Sequence, residues 1–183
     1  MVHAYEKEGK LKDGSRIVLR PMVAEDRQRL IDFFQALPGE QRLFLRHDVS
    51  DPEVIKAWTE HIDYSRVFPL LALAGDRVVG DATLHRIPRG WKRHIGTVRV
   101  VVAAEYHNRG LGTLLVHEMV ELATELGLEK LWAELPLSAA GAIAVFRKAG
   151  FSSKAVIEGL VKDQHGRNTD VVIMVCDVGT QYG

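Results

Sequence analysis

VRVVVAAEYHNRGLGTLL, residues 98–115, is the stretch on which the reading of this chain turns. It begins inside IGTVRVVV, residues 95–102, whose β-branched richness marks a central strand. A tight turn, AEYHNRG, follows, and a helix opens at about residue 110. Gly110 and Gly112 stand at that opening. The first N–H groups of a helix have no partner within it, and glycines leave them uncrowded. Such a turn forms a cradle for an anion the size of a phosphate or diphosphate. Taken alone, the glycines also fit a plainer reading, a shaped strand-to-helix turn. Two other phosphate motifs are excluded. No GxxxxGK[ST] occurs, so this is not a P-loop. GLGTLL lacks the third glycine of GxGxxG, which counts against a dinucleotide fold.

Working outward, Leu111, Leu114, Leu115, Met119, Leu122 and Leu126 trace one apolar stripe on a helix from 110 to 126, which Gly127 ends. LEKLWAELPL at 128–137 reads as the next strand, and AIAVFRKAG at 142–150 as a short helix. The strand–helix–strand unit over 95–137 should be parallel, with a right-handed crossover. FSSKAVIEGLV, the turn DQHGRN and TDVVIMVCD form a closing hairpin. Upstream, RIVLRP at 16–21 reads as a short strand and Glu25 to Leu37 as a helix, stopped by Pro38-Gly39. Asp51-Pro52-Glu53 marks a second helix start, with a capping carboxylate and proline in the first turn. PLLALAG at 69–75 and RVVGDATLHRI at 77–87 read as an antiparallel hairpin.

The 183 residues fit one domain with a full core. Lys plus Arg is 24 and Asp plus Glu is 24, so no net positive field draws the chain to nucleic acid or anionic lipid. The three tryptophans show no base-stacking pattern either. The longest apolar runs, such as VVIMVC at 171–176, fall far short of the roughly 18 residues that suggest a membrane span. MVHAYEKEGK has no apolar run behind its charges, so no secretory signal is read there. One cysteine, Cys176, fits a reducing compartment and leaves no cysteine cage for zinc. His117-Glu118 lacks the second histidine of HExxH, and no metal site is expected. The expectation is a cytoplasmic protein of the α/β class.

His107-Asn108-Arg109-Gly110-Leu111-Gly112 resembles the Q/R-x-x-G-x-G/A diphosphate loop of the GNAT acetyltransferases, which bind acetyl-CoA. LWAELPLSAAGAIAVFRKAGF, residues 131–151, is similar to the segment that follows in that family, and EGLVKDQHGRNTDVVIM to its C-terminal hairpin. The resemblance spans about residues 14–178, taken as a single domain. It implies a mixed, mostly antiparallel sheet of about seven strands with four helices. The parallel strands of the central unit would splay apart to hold acetyl-CoA. Asn108 to Thr113, including Arg109, Gly110, Leu111 and Gly112, would wrap the diphosphate through backbone N–H groups. Val100 and Val102, with Val101 between them, would pair their strand with the pantetheine arm.

The activity implied is direct attack of a primary amine on the thioester. A lysine-like amine of pKa ~10.4 is neutral in about one molecule in a thousand near neutral pH, so a base is needed. Positioned bases contribute typically ~10²–10⁴-fold. Glu134 stands where ribosomal-protein N-terminal acetyltransferases of this superfamily have theirs; Glu105, His85 and Asp81 are further candidates, and a solvated strand carboxylate is the plain reading of Glu134. Three residues depart from the family pattern. His107 replaces Gln or Arg, Ala139 replaces Asn near the CoA arm, and Phe146 replaces the tyrosine that protonates the departing thiolate. A thiol of pKa ~8.5 leaves tolerably without that acid, so slower chemistry is expected. Ser138 or a water could take the acid's place. A route through acetyl-Cys176 is the minor alternative.

The acceptor side would be built by the first two helices and their connection, GEQRLFLRHDVS, with Arg42, Phe44, Arg46 and His47. The N-terminal half resembles bacterial protein lysine acetyltransferases more loosely, which makes a protein lysine the leading acceptor. Small-molecule amines and protein N-termini are the alternatives, as is a catalytically weak acyl-CoA-binding sensor module, which Phe146 and Ala139 motivate. Arg86, Arg89, Lys92, Arg93 and His94 around PRGWKR read as a solvated hairpin tip. The oligomeric state stays open, a homodimer included.

Overall fold

A computed structural model describes residues 5–179 except 44 and 46. The expected Phe44 and Arg46 of the acceptor side therefore lie outside the described residues. Among the described residues eight strands form one sheet: β1 (Lys7–Lys10), β2 (Arg16–Pro21), β3 (Val67–Ala74), β4 (Arg77–Arg86), β5 (Ile95–Val102), β6 (Lys130–Pro136), β7 (Ser152–Lys162) and β8 (Asn168–Asp177). Five α-helices accompany them among the described residues: α1 (Arg27–Ala36), α2 (Gly39–Leu43), α3 (Pro52–Glu60), α4 (Leu111–Glu125) and α5 (Ala140–Lys148). The sheet order is β1-β2-β3-β4-β5-β6-β8-β7, and β5 with β6 is the one parallel pair among antiparallel neighbours.

The mixed α/β architecture and the parallel central unit match expectation, while the counts of seven strands and four helices each fall one short. The extra strand, β1, pairs with β2 from Lys7↔Leu19 to Lys10↔Arg16, so the sheet starts ahead of residue 14. The extra helix, α2, is a five-residue turn inside the stretch read as connection. Asp51 caps α3 as expected, its carboxylate accepting from the Glu53 N–H at 2.9 Å, with Pro52 in the first turn.

Strand alternation sorts side chains onto two faces. On one face α4 lies tight against β4: a Cβ at Gly80 would meet Leu115 at 2.9 Å. Leu111, Leu115 and Met119 are fully buried there, each burial worth roughly 1.5–3 kcal/mol. Gly96 shares this face, wedged between Leu84, Leu128 and Leu131. The other face carries Asp81, Thr83 and His85 of β4 with Arg99 and Val101 of β5, under α1 and α3. Because Thr97 pairs with Trp132, the side chains of Trp132 and Glu134 belong to this second face.

Pairing between β5 and β6 covers only Ile95↔Lys130, Gly96↔Leu131 and Thr97↔Trp132. Beyond these the strands part. β5 continues to Val102 on β4 alone, and β6 to Pro136 on β8 alone. Gly96 sits where the two strands are still joined, and its missing side chain lets the leucines close over the junction. Gly96→Ala places a methyl 2.6 Å from Leu84 Cδ1 and 2.9 Å from Leu128 Cδ1. We expect this overpacking to cost about 1–3 kcal/mol, measured as a lowered urea midpoint with an unchanged m-value.

Candidate active site

The site is assembled around the parting of β5 and β6. Ala103 N–H donates to the Val79 carbonyl at 2.9 Å, toward β4. Peptide groups alternate along a strand, so those of Val102 and Val100 face the opposite way, into the gap. Their side chains are partly buried on the α4 face, while Val101 points its side chain to the second face. A ligand strand laid in the gap would therefore find the peptide groups of Val100 and Val102 as its partners.

Just beyond β5 the chain makes a 3-10 turn, Ala104–Tyr106, and enters α4 through two left-handed residues, Asn108 at φ 60° and Gly110 at φ 92°. Asparagine tolerates that region better than most side chains, and glycine adopts it freely. No side chain caps α4, so the N–H groups of Leu111, Gly112 and Thr113 open outward at the positive end of a fifteen-residue helix. Gly112 faces Val102 and Val145, and a Cβ there would sit in ordinary contact with both.

The loop is braced by a turn that sequence reasoning passed over. Lys12 N–H donates to the Arg109 carbonyl at 3.0 Å, and Asp13 pairs with the Arg109 guanidinium at 2.6 Å. That guanidinium also lies over the Tyr106 ring, 4.7 Å from its centroid. Arg109 thus holds the loop in place with its side chain, leaving its neighbours' backbone to meet a ligand. The Asp13 carboxyl is held below the usual range, first by hydrogen bonds from Ser15 and then by Arg109. A DGS turn reads as a turn in sequence, but its contact with residue 109 is tertiary. His107 Nε2–H donates to the Val102 carbonyl at 3.0 Å, and a carbonyl's second lone pair leaves room for another donor.

On the second face lies a cavity of about 350 Å³. Its walls include Phe34 of α1, His47 and Val49 of the connection, Trp58 of α3, and Asp81 and Arg99 of the sheet. Of the described members of the expected acceptor set, His47 lines it and Arg42 does not. The Trp58 ring is edge-on to Phe34 at 5.9 Å and to His47 at 5.7 Å. Burial pushes the Asp81 carboxyl up to about 7. His85, also in the wall, has its Nε2 3.1 Å from the Thr83 hydroxyl.

The remaining candidates fall elsewhere. Glu134 is exposed on β6, on the same face as Asp81 but across the gap, and accepts the Trp132 indole N–H at 3.0 Å. Glu105 pairs with Arg77 at 2.8 Å on the surface, outside this cavity. Phe146 is 3% exposed and edge-on to Phe151, with ring centroids 5.0 Å apart. It fills core and carries no proton. Cys176 is fully buried on the α4 face, its Sγ 3.9 Å from the Ala149 carbonyl, and burial raises its pKa. The thiol therefore faces away from the cavity, which closes the acetyl-cysteine route.

Comparison with known proteins agrees with this geometry. Residues 28–151 match the model of the Acetyltransferase (GNAT) family. The L-amino acid N-acetyltransferase AaaT of Escherichia coli K12 is 29% identical over 117 residues, covering 63% of this chain and 70% of that protein. The [ribosomal protein bS18]-alanine N-acetyltransferase of the same strain is 28% identical over 79 residues, 43% of this chain and 53% of its own. A Salmonella typhimurium protein solved with its cofactor acetyl-CoA superposes with a TM-score of 0.75 at 18% identity, covering 91% of this chain and 96% of that one.

The acetyl-CoA such enzymes use fits what is here: an uncapped helix start, left-handed entry residues and a gap lined by peptide groups. Gly110→Ala forces a side chain into φ 92° and brings a methyl 3.4 Å from the Lys12 stem. Calorimetry with coenzyme A should show at least tenfold weaker binding in this variant, while circular dichroism stays that of the parent.

Proposed function

This chain belongs to the Acetyltransferase (GNAT) family, and on that premise we propose that it transfers the acetyl group of acetyl-CoA to a small primary amine held under Trp58. The observation carrying this reading is the cavity itself. It lies on the acceptor face, is mostly apolar, holds the carboxyl of Asp81 in its wall and that of Asp63 at its mouth, and abuts β5 beside the gap. At about 350 Å³ it lies within the range of small-molecule sites. The relative AaaT acts, by its name, on free L-amino acids, which supports an acceptor of this size.

Acetyl-CoA supplies an activated thioester carbonyl; the chain's residues do the rest. The α4 N-terminus and the loop over 108–113 hold the diphosphate, and the peptide groups of Val100 and Val102 align the arm. Backbone N–H groups of the parted strand also oppose the charge that grows on the carbonyl oxygen. Asp81 takes the proton from the incoming amine, directly or through one water. A base with a pKa of about 7 is ionised over the upper half of the physiological range yet still basic enough to work. Glu134, across the gap, is the competing base, and its bond to the Trp132 indole is a plain structural use for the same carboxylate. With Phe146 buried in core, the thiolate departs without help from a residue at that position.

A protein lysine is the second reading, favoured by the cavity's mouth. His47, His61, Asp63 and Arg66 are exposed around it and would admit a side chain from a docked protein. The lone buried Cys176 supports placing the enzyme in the cytoplasm.

The pH profile separates the two carboxylates. Asp81 as base is inactive when protonated, so kcat/KM should fall below about pH 7 and level off above it until the amine's own ionisation enters. Asp81→Asn should lower kcat by about 10²-fold, erase that limb and leave coenzyme A affinity unchanged. Glu134→Gln should keep the limb. Steady-state thiol release across pH 5.5–9 checks both; a limb that survives in Asp81→Asn and vanishes in Glu134→Gln would move the role to Glu134.

A further inference from the structure

Resting on the reading of the α4 head as the seat of acetyl-CoA, the charges around that head point to a further residue for its diphosphate. A diphosphate diester is a dianion at neutral pH. The start of a helix sets only about half an elementary charge against it. A full counter-charge has to come from a side chain nearby.

The loop's own cation is already committed. The Arg109 guanidinium pairs with one oxygen of Asp13 at 2.6 Å and lies over the Tyr106 ring. His107 is tied back to the Val102 carbonyl. Asp13 has no oxygen to spare, because its other one accepts both the Ser15 N–H at 3.0 Å and the Ser15 hydroxyl at 2.6 Å. The ammonium of Lys12, next to Asp13 in the β1–β2 turn, therefore has no acidic partner among the described residues.

Two contacts set Lys12 at the helix head. Its N–H donates to the Arg109 carbonyl at 3.0 Å, which fixes its backbone. Its side chain runs along Gly110, the cap residue of α4. Cγ, Cε and Cδ lie 3.4, 3.6 and 3.7 Å from the point where a Cβ on that glycine would stand, so the missing Cβ makes room for the stem. The ammonium, one bond beyond Cε, belongs to an exposed residue and swings on a flexible stem. Such a group serves a phosphate as a point charge and needs no fixed fork geometry.

We propose that the Lys12 ammonium binds the diphosphate of acetyl-CoA together with the N–H groups of Leu111, Gly112 and Thr113. Lys12 stands ahead of residues 28–151, which match the family model, so the contact comes from outside the matched segment. One turn then has two electrostatic roles. Asp13 cancels the positive charge of Arg109, and Lys12 restores one at the helix head.

Lys12→Met tests this, since it keeps an unbranched stem over Gly110 and the N–H bond to Arg109 while removing the charge. Calorimetry should show coenzyme A bound about tenfold more weakly than by the parent. Dephospho-coenzyme A, which lacks the 3′-phosphate and keeps the diphosphate, should lose the same factor. KM for acetyl-CoA should rise alike while kcat holds, a split that a loosened fold would not give. Lys12→Arg should bind like the parent, and added salt should weaken the parent more than Lys12→Met. Equal affinity of parent and Lys12→Met for coenzyme A would overturn the inference and leave the acetyl-CoA reading standing. A loss confined to coenzyme A would overturn it too, by moving the ammonium to the 3′-phosphate. A parent that binds neither compound would end the acetyl-CoA reading and the inference with it. Should Lys12→Met not fold, Lys12→Gln gives the same comparison.

Discussion

The parting of two parallel strands governs this molecule. β5 and β6 hold together through Thr97 and Trp132 and then separate, because β4 keeps one strand and β8 keeps the other. A sheet that opens in its middle exposes peptide groups that must find partners. On one side of the opening stands the uncapped start of α4, and on the other the apolar cavity under α1 and α3. Uncapped helix start, strand-like slot and apolar cavity are thus set in a row by one interruption of hydrogen bonding.

The parting is tolerated because both of its edges are anchored elsewhere. α4 buries its leucine stripe against the face opposite the cavity, and Gly80 and Gly96 let that helix and its leucines come close. The loop at its head is fixed from outside, by Lys12 and Asp13 gripping Arg109. The brace explains how a loop with two left-handed residues keeps its shape: the carbonyl and the side chain of Arg109 both engage the turn at Lys12 and Asp13. On the cavity face the same economy of position appears. Asp81 and Arg99 enter one wall only because strand alternation and ladder register bring them there.

Local signals carried much of this into view. Asp51-Pro52 announced the start of α3, the leucine spacing announced α4, and HNRGLG announced the turn that enters it, since each depends on neighbours within a turn or two. β1 was hidden because KEGK has no apolar alternation; it is ordered by remote partners, with Lys7 bridging Glu118 and Glu121 of α4 at 2.8 Å each. α2 was hidden because five residues are too few to show a period. The cavity drew on α1, α3, three strands and the connection between helices, and no window of sequence contains them together. Asp81 could be named as an acid on a strand, but its shifted ionisation comes from burial and lay beyond sequence. The Cys176 and Glu134 side chains could not be told apart by sequence either; register turns them to opposite faces of the sheet.

The central claim is that the opened strand and the helix head together receive a CoA thioester. Amide resonances followed during titration with coenzyme A test it most directly. The account predicts saturable shifts at Val100, Val102, Gly110, Leu111, Gly112 and Thr113, with β1 and the outer half of β7 unmoved. Saturable binding that shifts amides elsewhere and leaves those six still would contradict it.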